Sequence, residues 1–308
     1  MPTRLTRLRN ALSAALIALS CLLVPFGVLA AWVTYGLADT GRYVTAMAPL
    51  AADPAVQSAV ADTVGAGITQ EVDRRLAEST VSPELRTMRP FVHDAVRSFT
   101  RTEAFRTAWD AGNRAVHDAV LSALRDGRDR TVTVDVAPIT AQVKHQLIAD
   151  HVSLAHRIPV EHTEVPVLPA HRLDRLRKGY AVLEVAGFWL PVSAAVLAAT
   201  GIAVAACRRR AVTATALGTA LGGAFLALAV AIGRRFTLAD LPEAAHRPAA
   251  GAVYDALTQT LRTVSWLLIA LGLAVALVCR LTEYLARRRR ACAAPAADPA
   301  REPTRARA

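Results

Sequence analysis

Hydrophobic and polar positions divide the chain into four charge-free runs and the segments between them. The runs are 11–38, 185–207, 211–233 and 263–279, of 28, 23, 23 and 17 residues. A helix of about 20 apolar residues crosses the ~30 Å hydrocarbon core of a bilayer. The first three runs meet that length. The fourth is shorter, and Leu261 and Leu281 extend it, with Arg262 and Arg280 snorkelling to the two interfaces. Its centre, from Trp266 to Leu271 and from Leu273 to Val278, is apolar on all sides, as lipid contact requires. The pattern predicts transmembrane helices over 11–38, 181–207, 211–233 and 261–281.

Residues 39–180, between the first two spans, carry mostly helical periodicity. Asp53 and Pro54 read as an N-cap and a first-turn proline. Val56, Val60, Val64, Ile68, Val72 and Leu76 then recur every fourth residue, with Gly65 and Gly67 as places for a kink. Ser82-Pro83-Glu84 starts a short helix. Pro90 opens another, with Phe91, Val92, Val96 and Phe99 on one face. Thr102-Glu103 starts the longest, with Phe105, Trp109, Val116, Val120 and Leu124 inward and Gly127 at its end. The alternation over 131–136 predicts a strand. Pro138 opens a helix carrying Ile139, Val143 and Leu147. Residues 163–168 are a candidate second strand, restricted to an edge by Pro166, and the two form a possible two-stranded ribbon.

The segment 234–260 lies between spans three and four. Leu241-Pro242 breaks the chain. Pro248 starts a helix with Val253, Leu257 and Leu261 in register, predicted to run into span four and pack beneath the larger domain. The fold class is therefore mainly α: four transmembrane helices plus a mostly helical domain of residues 39–180. A six-residue pattern, apolar at i and i+4, recurs at Ala59 to Val64, Phe91 to Val96, Ala115 to Val120 and Ala252 to Leu257, as an Ala/Val-rich chain also produces by chance. It reads as one amphipathic turn with an aspartate on its wet face.

Charge sets the orientation. The net charge is +11, yet residues 39–178 hold 18 Lys+Arg against 18 Asp+Glu. The surplus flanks the membrane and fills the tail, which argues against nucleic acid as a partner. Arg4, Arg7 and Arg9 precede span one. Arg208, Arg209 and Arg210 form the loop 208–210 between spans two and three. Arg280 and Arg287 through Arg290 follow span four. The positive-inside rule puts all of these in the cytoplasm. That gives a cytoplasmic N-terminus over 1–10, extracytoplasmic segments over 39–180 and 234–260, and a basic, disordered cytoplasmic tail over 282–308. Arg234 and Arg235 then fall on the outer side, against the rule. Val28-Leu29-Ala30 offers a signal-peptidase site, but the apolar run continues through Trp32, Val33 and Tyr35, and an uncleaved anchor is the reading adopted.

Chemistry is sparse. Cys21, Cys207, Cys279 and Cys292 all lie outside 39–180, so that domain folds without disulfides. His145, His151, His156, His162 and His171 are separated by gaps of six, five, six and nine, not by the i, i+3 or i, i+4 spacing that ligates metal from one helix. With His93 and His117 they read as solvated histidines. Glu71, Asp73, Arg74 and Arg75 read as a charged helix face. The spans lack the ionisable residues of transporters, and Glu184 marks the outer edge of span two. Small-residue ridges, Gly201 with Ala205, Gly218 with Gly222 and Gly272 with Ala276, suit close helix packing within the chain or between copies. Pro25 and Pro191 are candidate kinks. No catalytic, cofactor-binding or metal-ligating residue is assigned.

The run from Ala48 to Gln57 after span one, Val134 to Pro138, Phe188-Trp189-Leu190-Pro191, and Val253-Tyr254-Asp255 resemble a family of uncharacterised bacterial four-span integral membrane proteins with a large extracytoplasmic domain between spans one and two. Ala52 stands where that family commonly has a second acid. The resemblance implies this topology and a bacterial plasma membrane, and no activity. The expected function is presentation of the outer domain to protein or cell-envelope partners, non-enzymatically. The alternatives are an accessory subunit of a transport or channel complex, and an extracytoplasmic metal- or pH-responsive sensor or enzyme.

Overall fold

In the computed structural model four helices are long and apolar enough to cross a membrane, the composition of a multi-pass membrane protein. The structure describes residues 4–78, 89–126, 132–135, 137–149, 164–168, 170–241 and 243–292. The expected helix at Ser82, the histidines His151, His156 and His162, and the tail beyond 292 lie outside them.

The first span is α1, Arg4–Trp32, continued by a π turn over Val33–Leu37. Asp39 caps α2, Thr40–Met47, by accepting from the Arg42 amide at 2.8 Å. A 3-10 turn, Ala48–Ala52, leads to α3, Pro54–Glu78. Asp53 accepts from the amides of Ala55 and Val56 at 2.8 and 3.2 Å, the capping geometry its sequence position implied. Next come α4, Arg89–Phe99, and α5, Glu103–Asp126, the latter capped by Thr102, whose hydroxyl accepts from the Phe105 amide at 3.2 Å. Gly65 and Gly67 sit inside α3 without interrupting it, and at 25 residues α3 is one longer than α5.

Strands β1, Val132–Asp135, and β2, Glu164–Leu168, pair antiparallel with Val134 opposite Val165 and Asp135 opposite Glu164. The register is irregular between Val132 and Thr133, beside Pro166, which has no N–H to give a ladder. Between them lies α6, Ala137–Ala149, whose first amide donates to Asp135 Oδ1 at 2.9 Å.

The second span, α7, Ala170–Val204, starts well before the expected boundary at 181. The third, α8, is Arg208–Ala239. Arg208, Arg209 and Arg210 therefore form its first turn, not the loop; the chain reverses over residues 205–207. Small residues there need no polar partner, whereas the arginines extend helix into the interface. The last helix, α9, Arg247–Cys292, is one 46-residue element joining the 234–260 segment to span four. The short fourth run is thus the middle of a long helix, which resolves its marginal length. Pro25 and Pro191 lie within continuous helices.

Helix α7 packs along α1 and α8 along α9, while contact between α1 and α8 joins the two pairs. The α1–α7 seam is a heptad of small and hydroxylated residues. Ser13, Ser20, Gly27 and Thr34 are spaced by seven, and so are Gly201, Ala194 and Gly187 on the antiparallel helix. Ser13 and Ser20 donate to the carbonyls of Gly201 and Ala194 at 2.7 Å, and Thr34 donates to Leu183 O at 3.1 Å. A methyl group at Gly27 would stand 3.1 Å from the Pro191 nitrogen. Backbones approach this closely only where side chains are nearly absent. The other ridges are also spent within the chain. Gly218 and Gly222 meet Cys21 and Pro25 of α1, and Gly272 meets Ala216 and Ala220 of α8. Large side chains such as Phe188, Trp189, Phe225, Trp266 and Leu277 point outward, as lipid contact requires.

Candidate functional site

The region outside the bundle is built on the first turns of α9. Met47, Leu50, Val56 and Ala249 form a buried core, flanked by Tyr43, Val60, Trp109, Val253 and Leu257. Three segments meet there because each puts apolar residues on one helical face. Trp109 donates its indole N–H to Met47 O at 2.9 Å, so the largest side chain of the cluster leaves no buried donor unmatched. Phe105 packs between Phe99 and Trp109, with ring centroids 6.1 Å apart in each case. Through this core α9 ties the region to span four without a hinge.

Among the described residues, concavities lie on two sides of α5. The first is a cleft of about 510 Å³ between α5 and α6. Its walls carry Thr107, Asp110, Arg114, Asp118 and Gln142, a mixed-charge lining. Asp110 Oδ1 is buried and accepts no hydrogen bond from a described residue. A carboxylate oxygen in that position is costly unless a donor reaches it.

The second is an apolar hollow of about 350 Å³ where α5 meets the ends of spans one and two. Val33, Leu37, Leu121, Leu124, Leu176 and Leu183 line it, and His117 and Tyr180 stand on its walls. His117 Nε2 lies 2.8 Å from Leu37 O. A carbonyl only accepts, so Nε2 carries the hydrogen. Its Nδ1 is 3.1 Å from the Thr40 hydroxyl, which in turn donates to Asp118 Oδ1 at 2.6 Å. The ring stacks on Tyr43 at 4.2 Å between centroids. Burial pushes the Tyr43 hydroxyl above its ordinary pKa. His117 thus ties α5 to the last carbonyls of span one, at the π turn.

The other histidines are dispersed. His93 pairs with Asp62 at 2.9 Å, linking α4 to α3. His145 is exposed on α6, and His171 falls in the first turn of α7. His246 pairs with Glu243 at 3.0 Å. His93 remains a surface histidine in a solvated pair, whereas His117 is part-buried, with partners on other elements. Among the described residues no group of three or more His, Cys, Asp or Glu is placed to hold a metal. Glu71, Asp73, Arg74 and Arg75 fall in the later turns of α3, and Glu184 is exposed on α7.

Asp255 lies on a partly exposed face, where Arg234 of α8 holds it at 3.0 and 3.2 Å and Arg262 holds it at 2.9 Å. Arg262 does not snorkel alone. Beside this cluster Tyr254 donates to Val230 O at 2.8 Å and fills the space left by Gly233. Asp62, Asp118 and Asp255, three of the recurring aspartates, all bind a side chain on another element or another turn. Sequence reasoning missed these ties because each joins segments far apart in the chain.

At the opposite end of α8 and α9, Arg209, Arg210, Arg280 and Arg287 surround a further cleft of about 380 Å³. A groove of about 340 Å³ between α1 and α8, lined by Leu22, Pro25, Phe26, Leu221 and Phe225, carries no charged side chain. No protein-family model, curated protein or solved structure matches the chain.

Proposed function

We propose that this chain is a multi-pass bacterial plasma-membrane protein with both termini in the cytoplasm. Residues 39–180 lie outside, and they present a helical domain to protein or cell-envelope partners without catalysing a reaction. The observation that carries this reading is the α5–α6 cleft of about 510 Å³ with its mixed-charge lining, where Asp110 Oδ1 accepts no hydrogen bond from a described residue. The charged and amide groups of its lining, Asp110, Arg114, Asp118 and Gln142, are what a partner's polar side chains pair with. The rigid path through α9 supports the same reading, because a load on the outer core passes directly to a span.

The orientation rests on the arginine clusters at one end of the bundle. Arg234, Arg235 and Arg262 at the other end count against it but are outnumbered by those clusters. The seam hydroxyls of Ser13, Ser20 and Thr34 are satisfied by backbone carbonyls, and the α1–α8 groove is apolar. Those features do not favour a substrate path through the spans. A homo-oligomer would use lipid-facing side chains such as Trp189 or Phe225, because the small-residue ridges are occupied.

The test is photo-cross-linking in cells from positions on the cleft rim, with a photoreactive residue replacing Gln142 or Thr107. A discrete adduct that disappears in Asp110→Ala supports the proposal. Uniform background from both positions contradicts it.

A further inference from the structure

We propose that the cleft between the first turns of α8 and the last turns of α9 binds the phosphate of an anionic phospholipid. Arg209 and Arg210 enter it from α8, and Arg280 and Arg287 from α9. Glu283 is the one carboxylate in its lining, and Arg287 already holds it at 2.7 Å. Arg209, Arg210 and Arg280 make no ion pair among the described residues. Four guanidinium groups thus line about 380 Å³ beside a single carboxylate, which Arg287 holds directly and which Arg280 and Arg210 feel only at a distance.

The placement is unfavourable without an anion. Arg208, Arg209 and Arg210 occupy the first turn of a 32-residue helix, and Cys207 gives that turn no side-chain cap. Cations there oppose the helix dipole and one another. A phosphate relieves both, and the planar forks of arginine match its oxygens two at a time.

The apolar part of the cleft decides between a lipid and free phosphate. Ala214 and Leu217 form its apolar wall, and Leu217 is exposed on the helix surface that the proposed membrane placement turns to lipid. From there the exposed side chains of Leu217 and Leu221 continue along α8. An acyl chain attached to the phosphate has a surface to lie on, which an inorganic ion does not use. Basic pockets between spans at a membrane face are the usual form of such sites.

The inference rests on the membrane placement proposed above but not on the role of the outer domain. The full chain, reconstituted in vesicles of equal phosphatidylglycerol and phosphatidylcholine, is extracted in mild detergent, and the retained lipid is counted by native mass spectrometry. A photoreactive phosphatidylglycerol maps the site by peptide. The expected result is at least about tenfold preference for phosphatidylglycerol, with adducts in the peptides around Leu217 and Cys279. R209Q/R280Q loses that preference, R209K/R280K keeps part of it, and R101Q, at an exposed position on another segment, keeps all of it.

Equal retention of the two lipids by the wild-type chain overturns the proposal, and that arm needs no variant to fold. So does undiminished preference in R209Q/R280Q, or complete displacement by millimolar inorganic phosphate. Failure of the chain to reconstitute as a multi-pass protein would count instead against the membrane placement itself.

Discussion

Arg234 and Asp255 meet through two parallel hydrogen bonds, Nε to Oδ1 at 3.0 Å and Nη2 to Oδ2 at 3.2 Å. Arg262 adds a third contact to the same carboxylate at 2.9 Å. One acid thus joins the end of α8 to two successive turns of α9, at the boundary between span and outer core. It also explains how two arginines sit beside apolar runs at the end opposite the main basic clusters.

Asp255→Ala leaves those two guanidinium groups facing each other. The pairs are more than a third exposed, so the loss is modest, about 1–2 kcal/mol. Arg234→Gln and Arg262→Gln each cost less, because the second arginine keeps the acid paired. Thermal midpoints of the reconstituted protein check the order; equal midpoints for wild type and Asp255→Ala would contradict it.

Glycine substitutions separate close packing from helix propensity. A methyl at Gly187 would stand 2.9 Å from Thr34 Cβ and 3.2 Å from Ala30 O, so Gly187→Ala forces α1 and α7 apart. Overpacking of that kind costs about 1–3 kcal/mol. Gly67 in α3 and Gly112 in α5 have no atom within 4 Å of that position. Gly67→Ala and Gly112→Ala stabilise by roughly 0.5–1 kcal/mol each. Chemical denaturation should show opposite signs for the two groups.

The seam's hydrogen bonds matter less than its closeness. Ser13→Ala with Ser20→Ala removes two bonds of 2.7 Å, at about 0.6 kcal/mol each in a membrane. Ser20→Leu, by contrast, places a large side chain where the residue is buried and should prevent correct packing. Protease resistance of the reconstituted bundle distinguishes the two: nearly retained in the double alanine variant, lost in Ser20→Leu.

Much of this architecture was legible in the sequence. The charge-free runs located four spans because a bilayer tolerates almost no charge. The register of Val253, Leu257 and Leu261 anticipated a helix feeding span four, and α9 is continuous through them. Asp53 and Thr102 announced their helices because capping is local. What escaped was relational. The role of Ser13, Ser20 and Thr34 shows only when their spacing is set against Gly201, Ala194 and Gly187 on a distant helix. His117 reads from sequence as a solvated histidine, whereas its partner is a backbone carbonyl at the end of span one. The triple arginine was placed in a loop because it interrupts two apolar runs, yet arginine is a good helix former and begins α8.

Alkaline pH probes the stack of Tyr43 on His117. Burial raises the Tyr43 pKa in the folded protein, so the folded state holds that proton more firmly. The sign follows by linkage: the contribution is fully present below pH 10, the ordinary value, and is lost as pH rises through the raised one. Tyr43→Phe should therefore weaken the alkaline fall in stability while giving up only a long hydrogen bond, 3.4 Å to Asn113. Unfolding curves of both proteins between neutral pH and pH 11 test this. Parallel curves would rule it out.

The most direct test of the account is which side of the membrane each end of the bundle faces. A cysteine replacing exposed His145, in a chain without its native cysteines, is compared in intact cells with native Cys207 alone, using a membrane-impermeant thiol reagent. The account predicts labelling of the His145→Cys chain at once, and of Cys207 only after the membrane is opened. Immediate labelling of Cys207, or protection of the cysteine at position 145, would contradict it.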